Sequence, residues 1–103
     1  MATYQLMCWQ DIPTAVESRE AGKVHKVQLS PRFQELVDLM AMKQGLTGSD
    51  AYLDHWSKGA RQERDGSAED VAKAVVAEIE ARYDRIREDA LAASRERRKR
   101  DNP

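Results

Sequence analysis

The chain has 103 residues, 34% of them charged, and its 17 Lys and Arg nearly balance 18 Asp and Glu for a formal net charge of −1. That length supports one small core and excludes a multidomain enzyme, and the balanced charge denies the broad basic field that draws proteins nonspecifically to nucleic acid or acidic membranes. Leu, Ile, Val and Phe together supply only 18 residues, so a modest core beneath a large, charge-laced and chiefly helical surface is expected.

The single cysteine, Cys8, allows no internal disulfide, so folding does not depend on an oxidising compartment. Met1-Ala2-Thr3-Tyr4 lacks the basic start and apolar run of a signal peptide. No stretch of about 18 apolar residues occurs as a membrane span needs. A cytoplasmic location is the expectation.

In chain order, Thr3 to Trp9 alternates as a strand, with Tyr4, Leu6 and Cys8 on one side and Met7 and Trp9 on the other. Asp11-Ile12-Pro13 breaks it, because proline donates nothing to a ladder. A second strand follows over Ala15 to Arg19. Glu20-Ala21-Gly22-Lys23 then supplies a glycine where a hairpin turn needs positive φ. The third strand runs from Val24 to Leu29, placing His25, Val27 and Leu29 on one face and Val24, Lys26 and Gln28 on the other. The expected sheet is a short antiparallel meander of two or three strands.

Ser30-Pro31 reads as a helix start, the serine capping free amides and the proline occupying the first helical position. Phe33, Leu36, Val37 and Met40 recur at helical spacing, and Gly45 supplies the left-handed stop. Thr47 or Ser49 caps a short second helix through Trp56, ending at Gly59. Arg61 to Gly66 is polar and aperiodic, as a loop would be. Ser67-Ala68-Glu69-Asp70 resembles a capping box, and Val71, Val75, Ile79, Tyr83, Ile86 and Ala90 continue one long amphipathic helix with a basic end at Arg95 to Arg100. The organisation predicted is therefore α+β: a domain over 1–60, a loop over 61–66, and a long C-terminal amphipathic helix over 67–103 whose last residues fray.

No catalytic constellation is recognisable. Cys8 lies between Met7 and Trp9, without the cationic partner that activates a thiol. His25 and His55 have no metal-ligand spacing with Cys8, Asp54 or each other, and adjacent Asp54 and His55 point about 100° apart on a helix. Gly45 and Gly48 lack the lysine and preceding strand of a phosphate loop. No catalytic, cofactor or metal residues are assigned. The candidate partner-binding residues are Trp9, Tyr52, Trp56, Tyr83 and Ile86. The two tryptophans could form a contact patch if they were exposed together, and the helix beyond Tyr83 has little domain to pack on. The positions of Tyr4, Trp9, Tyr52 and Trp56 also predict that the first strand and the short helix meet.

Tyr4, Trp9, Asp11-Ile12-Pro13, Val16, Arg32-Phe33-Gln34 and Gly45 to Leu53 with Trp56 resemble the small bacterial "virulence factor" domain family over residues 1–59. The resemblance implies a cytoplasmic, mostly stand-alone α+β domain without assigned catalytic residues, found beside folate and methyl-transfer enzymes and thus an accessory to one-carbon metabolism. The reading that follows is a non-enzymatic accessory or interaction module with a protein partner, a homodimer being a second possibility, and with neither nucleic acid nor membrane as the expected target. The alternative is a ribbon-helix-helix-like DNA-binding regulator, in which Lys26 and Gln28 face base edges and the Thr47-Gly48-Ser49 amides hold phosphate. A small enzyme built on Cys8 or His55 ranks third.

Overall fold

The computed structural model describes the backbone over residues 1–101 and the side chains over 1–95. Strand β1 (Ala2–Trp9) is followed by β2 (Ile12–Glu20) and β3 (Lys23–Gln28), then by helices α1 (Pro31–Lys43) and α2 (Asp50–Asp54). Two three-residue strands, β4 (Trp56–Lys58) and β5 (Gln62–Arg64), lead into α3 (Ala68–Ala81) and α4 (Tyr83–Asp101). The α+β class is as expected, but the sheet has five strands in the order β3-β2-β1-β4, with β5 also on β1.

The predicted meander forms its first half. Ala21 at φ 50° and Gly22 at φ 80° make the two-residue turn between Glu20 and Lys23, the backbone twist that joins right-twisted strands without splaying them. The other half comes from the end of the expected short helix and from the segment expected to be loop. Trp56 pairs with Trp9 and Lys58 with Met7, and after a short interruption Gln62 pairs with Tyr4 and Arg64 with Ala2. β4 and β5 thus form one interrupted edge strand along β1, bridged where the Gly59 N–H donates to the Leu6 carbonyl at 2.8 Å. Burying the β1 edge satisfies its backbone polar groups, and that demand overrides the aperiodic composition of 61–66.

Ile12 and Pro13 also belong to a strand rather than a break. The β1–β2 register shifts between Met7 and Cys8, leaving Thr14 as the extra residue of a bulge. Proline is tolerated at such a bulge because no ladder bond is asked of it there. The Thr14 carbonyl instead accepts the Leu29 N–H at 2.9 Å, and its hydroxyl donates to the Met7 carbonyl at 3.2 Å.

Register puts Leu6, Val16 and Val27 on one sheet face and Tyr4, Ser18 and His25 beside them. Helix α3 covers this face with Val71, Ala72, Val75 and Ile79. Ser18 is fully buried, and its hydroxyl donates to the Ala68 carbonyl, fastening β2 to the first turn of α3. α1 contributes Phe33, Leu36, Val37, Met40 and Ala41 to the same core. Fully burying side chains of this size contributes about 1.5–3 kcal/mol each.

The helix ends follow local chemistry. Ser67 accepts the Asp70 N–H at 3.1 Å, as the capping box predicts, and Gly45 at φ 70° follows α1 in the left-handed position. Ser30 stands at the N-cap but makes no side-chain cap; its hydroxyl donates to Glu80 instead. Ser49, at the N-cap of α2, likewise turns its hydroxyl to the Leu46 carbonyl at 2.6 Å.

Two helix spans differ from expectation. α2 stops at Asp54 because Trp56-Ser57-Lys58 is drawn into the sheet, so it ends well before Gly59. The long C-terminal helix is two helices divided at Arg82, whose φ of −101° and ψ of 9° turn the chain out of α3. Tyr83 then meets the edge of Phe33, ring centroids 5.1 Å apart, and α4 packs along α1. The side chains of the basic run beyond Arg95 lie outside the described residues, as do 102 and 103 of the end expected to fray, whereas Asp101 is the last residue of α4.

Candidate functional site

Aromatic packing gathers at the end of β1. The Trp9 indole N–H donates to the Tyr52 carbonyl at 2.8 Å, the Trp9 and Tyr52 rings lie 5.6 Å apart, and His55 meets Trp9 edge-on at 5.5 Å. Tyr52 and Trp56 are T-shaped at 6.3 Å. The first strand and the short helix therefore meet as their aromatics predict. The consequence differs, however, because Trp9 has no exposed surface at all. It is core, and an interface containing Trp9 would require this end of the domain to open. Tyr52 and Trp56 remain half-buried.

The adjoining β1–β2 turn is held from two sides. Gln10, at φ 54°, donates its backbone N–H to the His55 carbonyl at 2.9 Å. Its side-chain amide forms a reciprocal pair with Gln44 at 2.8 and 3.1 Å, joining the turn to the end of α1. These bonds fix Gln10, Asp11 and Ile12 opposite α4.

Tyr83 and Ile86, the other candidates, are half-buried and make no ring contact with the tryptophans. Tyr83 sits between Phe33 and the Arg32 guanidinium, which lies 4.3 Å from its ring centroid. Ile86 faces the β1–β2 turn, where it lines a shallow groove of about 130 Å³ with Ile12, Ala90, Ala93 and the polar rim of Gln10, Asp11 and Asp89. Small residues on α4 open this groove, since alanine at two successive turns leaves room a longer side chain would fill. Of these five residues, Trp9, Tyr52 and Trp56 gather at the end of β1, Tyr83 packs between Phe33 and Arg32, and Ile86 lines the groove.

Nothing near Cys8 activates it. Burial, and after it the Asp11 carboxylate, push the thiol above its ordinary range and away from the reactive thiolate. His55 packs on Trp9, and among the described residues no group of three or more His, Cys, Asp and Glu is placed to hold a metal ion. No described helix is long and apolar enough to cross a membrane.

On the sheet face opposite α3, sequence reasoning picks out Val24, Lys26 and Gln28 of β3 but not their neighbours on β1, β2 and β4. Thr3, Gln5, Met7, Ala15, Glu17, Lys26, Gln28 and Lys58 share it by register. A hollow of about 410 Å³ opens there, lined by Met7, Ala15, Lys26, Gln28, Trp56 and the first turn of α1. Glu17 lies between Arg19 at 2.7 Å and Lys58 at 3.7 Å, and its hydrogen bond to Arg19 leads the effects that lower its pKa. The signal that could have found this face was the odd-numbered register of β1, obscured by the bulge at Thr14. Lys26 and Gln28 do point outward together, but the five-residue α2 departs from the second helix a ribbon-helix-helix protein would supply.

These features define a small α+β domain with a one-sided helical cover, an apolar groove on its last helix and no assembled catalytic cluster among its described residues. A family model described as "Virulence factor" matches residues 7–92, and the chain belongs to that family. The match reaches past Gly59 through all of α3 and into the first half of α4. No curated protein and no solved structure matches the chain.

Proposed function

We propose that this virulence-factor domain is a non-enzymatic accessory module that docks on a protein partner through α4, the partner being an enzyme of folate or methyl-transfer chemistry. One observation carries the docking surface: the groove between α4 and the β1–β2 turn, where Ile12, Ile86, Ala90 and Ala93 stand within a rim of Gln10, Asp11 and Asp89. An apolar centre with a polar rim is the anatomy of a helix-side interface. The groove is also held in place, because the Gln10–Gln44 pair fixes one wall and α1 packing fixes the other. A partner therefore meets a surface that needs little ordering. The one-carbon assignment rests on the family resemblance.

Affinity capture of the intact protein from native cells, washed at high salt and treated with nuclease, tests this reading. A single enzyme recovered in stoichiometric amount, with folate- or methyl-transfer activity in the eluate, is the expected result. Recovery of the isolated chain alone contradicts it.

A further inference from the structure

The helices cover one face of the sheet, and the other carries chemistry that the docking reading leaves unused. At one end lies the hollow of about 410 Å³ whose walls include Trp56, Lys26 and Gln28. At the other, Arg19 and Arg61 line a second hollow of about 310 Å³ beside Thr3 and Val24. The two are separated by the Thr3-to-Met7 stretch of β1, about 13 Å at the usual rise of a strand. Lys58 lies opposite Met7 in the register.

The charges on this face are not those of the chain as a whole. Arg19, Lys26, Lys58 and Arg61 stand against Glu17 and Glu63, with Glu20 at the far hollow placed opposite Lys23. Glu17 makes two ion pairs, to Arg19 and Lys58, while exposed Lys26, its cross-strand neighbour, and exposed Arg61 make no ion pair or side-chain hydrogen bond among the described residues. On a protein with a net charge of −1, this surface thus sets four cations, Arg19, Lys26, Lys58 and Arg61, against the two carboxylates Glu17 and Glu63. A half-buried indole stands at the end of that surface, and Gln28 beside it offers both a donor and an acceptor.

We propose that this uncovered face binds single-stranded nucleic acid. The cations track the phosphates and Trp56 takes an unstacked base, a combination that suits a single strand because its bases are free to leave the stack, whereas a duplex offers a flat sheet only phosphates. The small net charge limits the long-range attraction, so binding is local and strongly salt-dependent.

Fluorescence anisotropy with fluorescein-labelled oligodeoxyuridylate and oligouridylate, which differ only in the sugar, tests the proposal, using the full chain at low salt. Binding of either strand is expected, and the stronger of the two identifies the sugar preferred. It should be accompanied by partial quenching of tryptophan emission that disappears in Trp56→Phe, because Trp9 is sealed in the core. The double variant Lys26→Glu, Arg61→Glu breaks no bond seen in the fold and should bind at least tenfold more weakly. Its log-log salt slope should fall by about 1.4, two single-strand phosphate contacts' worth. Reversing Arg97 and Arg98 should leave binding unchanged. Absence of binding to both strands, or equal binding by the Lys26/Arg61 variant, overturns the proposal, as does loss of binding on reversing Arg97 and Arg98.

Discussion

The carboxylate of Glu80 holds Ser30 by two bonds, accepting its backbone N–H at 2.6 Å and its hydroxyl at 2.7 Å. Arg32 adds its Nε and Nη2 to the same oxygen at 3.2 and 3.0 Å, and donates to the Glu80 carbonyl at 2.7 Å. The start of α1 is therefore fastened to the last turn of α3, two residues before the chain turns at Arg82. Because Arg32 also lies over Tyr83, this latch sets where α4 begins and hence where its groove faces.

Replacing Glu80 by Gln should cost about 1–3 kcal/mol at neutral pH, the usual range for a lost charge-assisted hydrogen bond. Burial raises the Glu80 pKa, but its bonds to Ser30 and Arg32 outweigh that and leave it lowered. A carboxyl whose folded pKa lies below the unfolded value, about 4.3, stabilises fully above that value and loses the contribution as pH falls through the folded pKa. Urea unfolding of the parent and Glu80→Gln should therefore show a gap at neutral pH that narrows in acid; a constant gap would contradict the latch.

At the β2–β3 turn, Ala21 holds a left-handed φ of 50° without glycine's freedom. Ala21→Gly should raise stability by about 0.5–1 kcal/mol, since the left-handed region costs an L-residue about that much or more. Gly22→Ala at φ 80° should lower it, although a new Cβ there meets nothing within 4 Å. Thermal unfolding of the two variants should move in opposite directions.

Trp9 is a core residue, and Trp9→Phe should show it. The change removes the indole bond to Tyr52 and leaves unfilled volume, for a loss of about 1–3 kcal/mol. The same replacement at half-exposed Trp56 should cost less, as chemical denaturation will measure. Equal costs would place the two tryptophans in equivalent surroundings.

Cys8 should react slowly with iodoacetamide in the folded protein. Its raised pKa depletes the thiolate at mildly alkaline pH, and unfolding in urea should restore the rate of an ordinary cysteine. A folded-state rate equal to that in urea would return Cys8 to the list of reactive groups.

Much of this was legible where the determinants are local. The Ala21-Gly22 turn, the Ser67 cap, the Gly45 stop and the apolar stripe of α1 each lie within a few residues of what they control. The edge strand was not legible, because Trp56-Ser57-Lys58 and Gln62-Glu63-Arg64 are too short to show a period and take their structure from the unpaired edge of β1. Nor was the break at Arg82, since Ser30 and Glu80 are fifty positions apart and continuous helical spacing runs straight through Tyr83. The candidate residues fared by the same rule. Periodicity put Ile86 on the apolar stripe of the last helix, where the structure opens a groove, but it could not tell that Trp9 would be enclosed by Tyr52 and His55.

The central claim is that a protein partner docks in the α4 groove, and site-specific photo-crosslinking inside the native cell tests it most directly. A benzophenone amino acid replacing Ala93, on the groove, should give one dominant protein adduct whose mass and sequence identify the partner. The same group replacing Glu88, on the exposed opposite side of α4, should give little or none. Equal adducts from both positions, or none from Ala93 while the protein remains folded, would contradict docking at this surface.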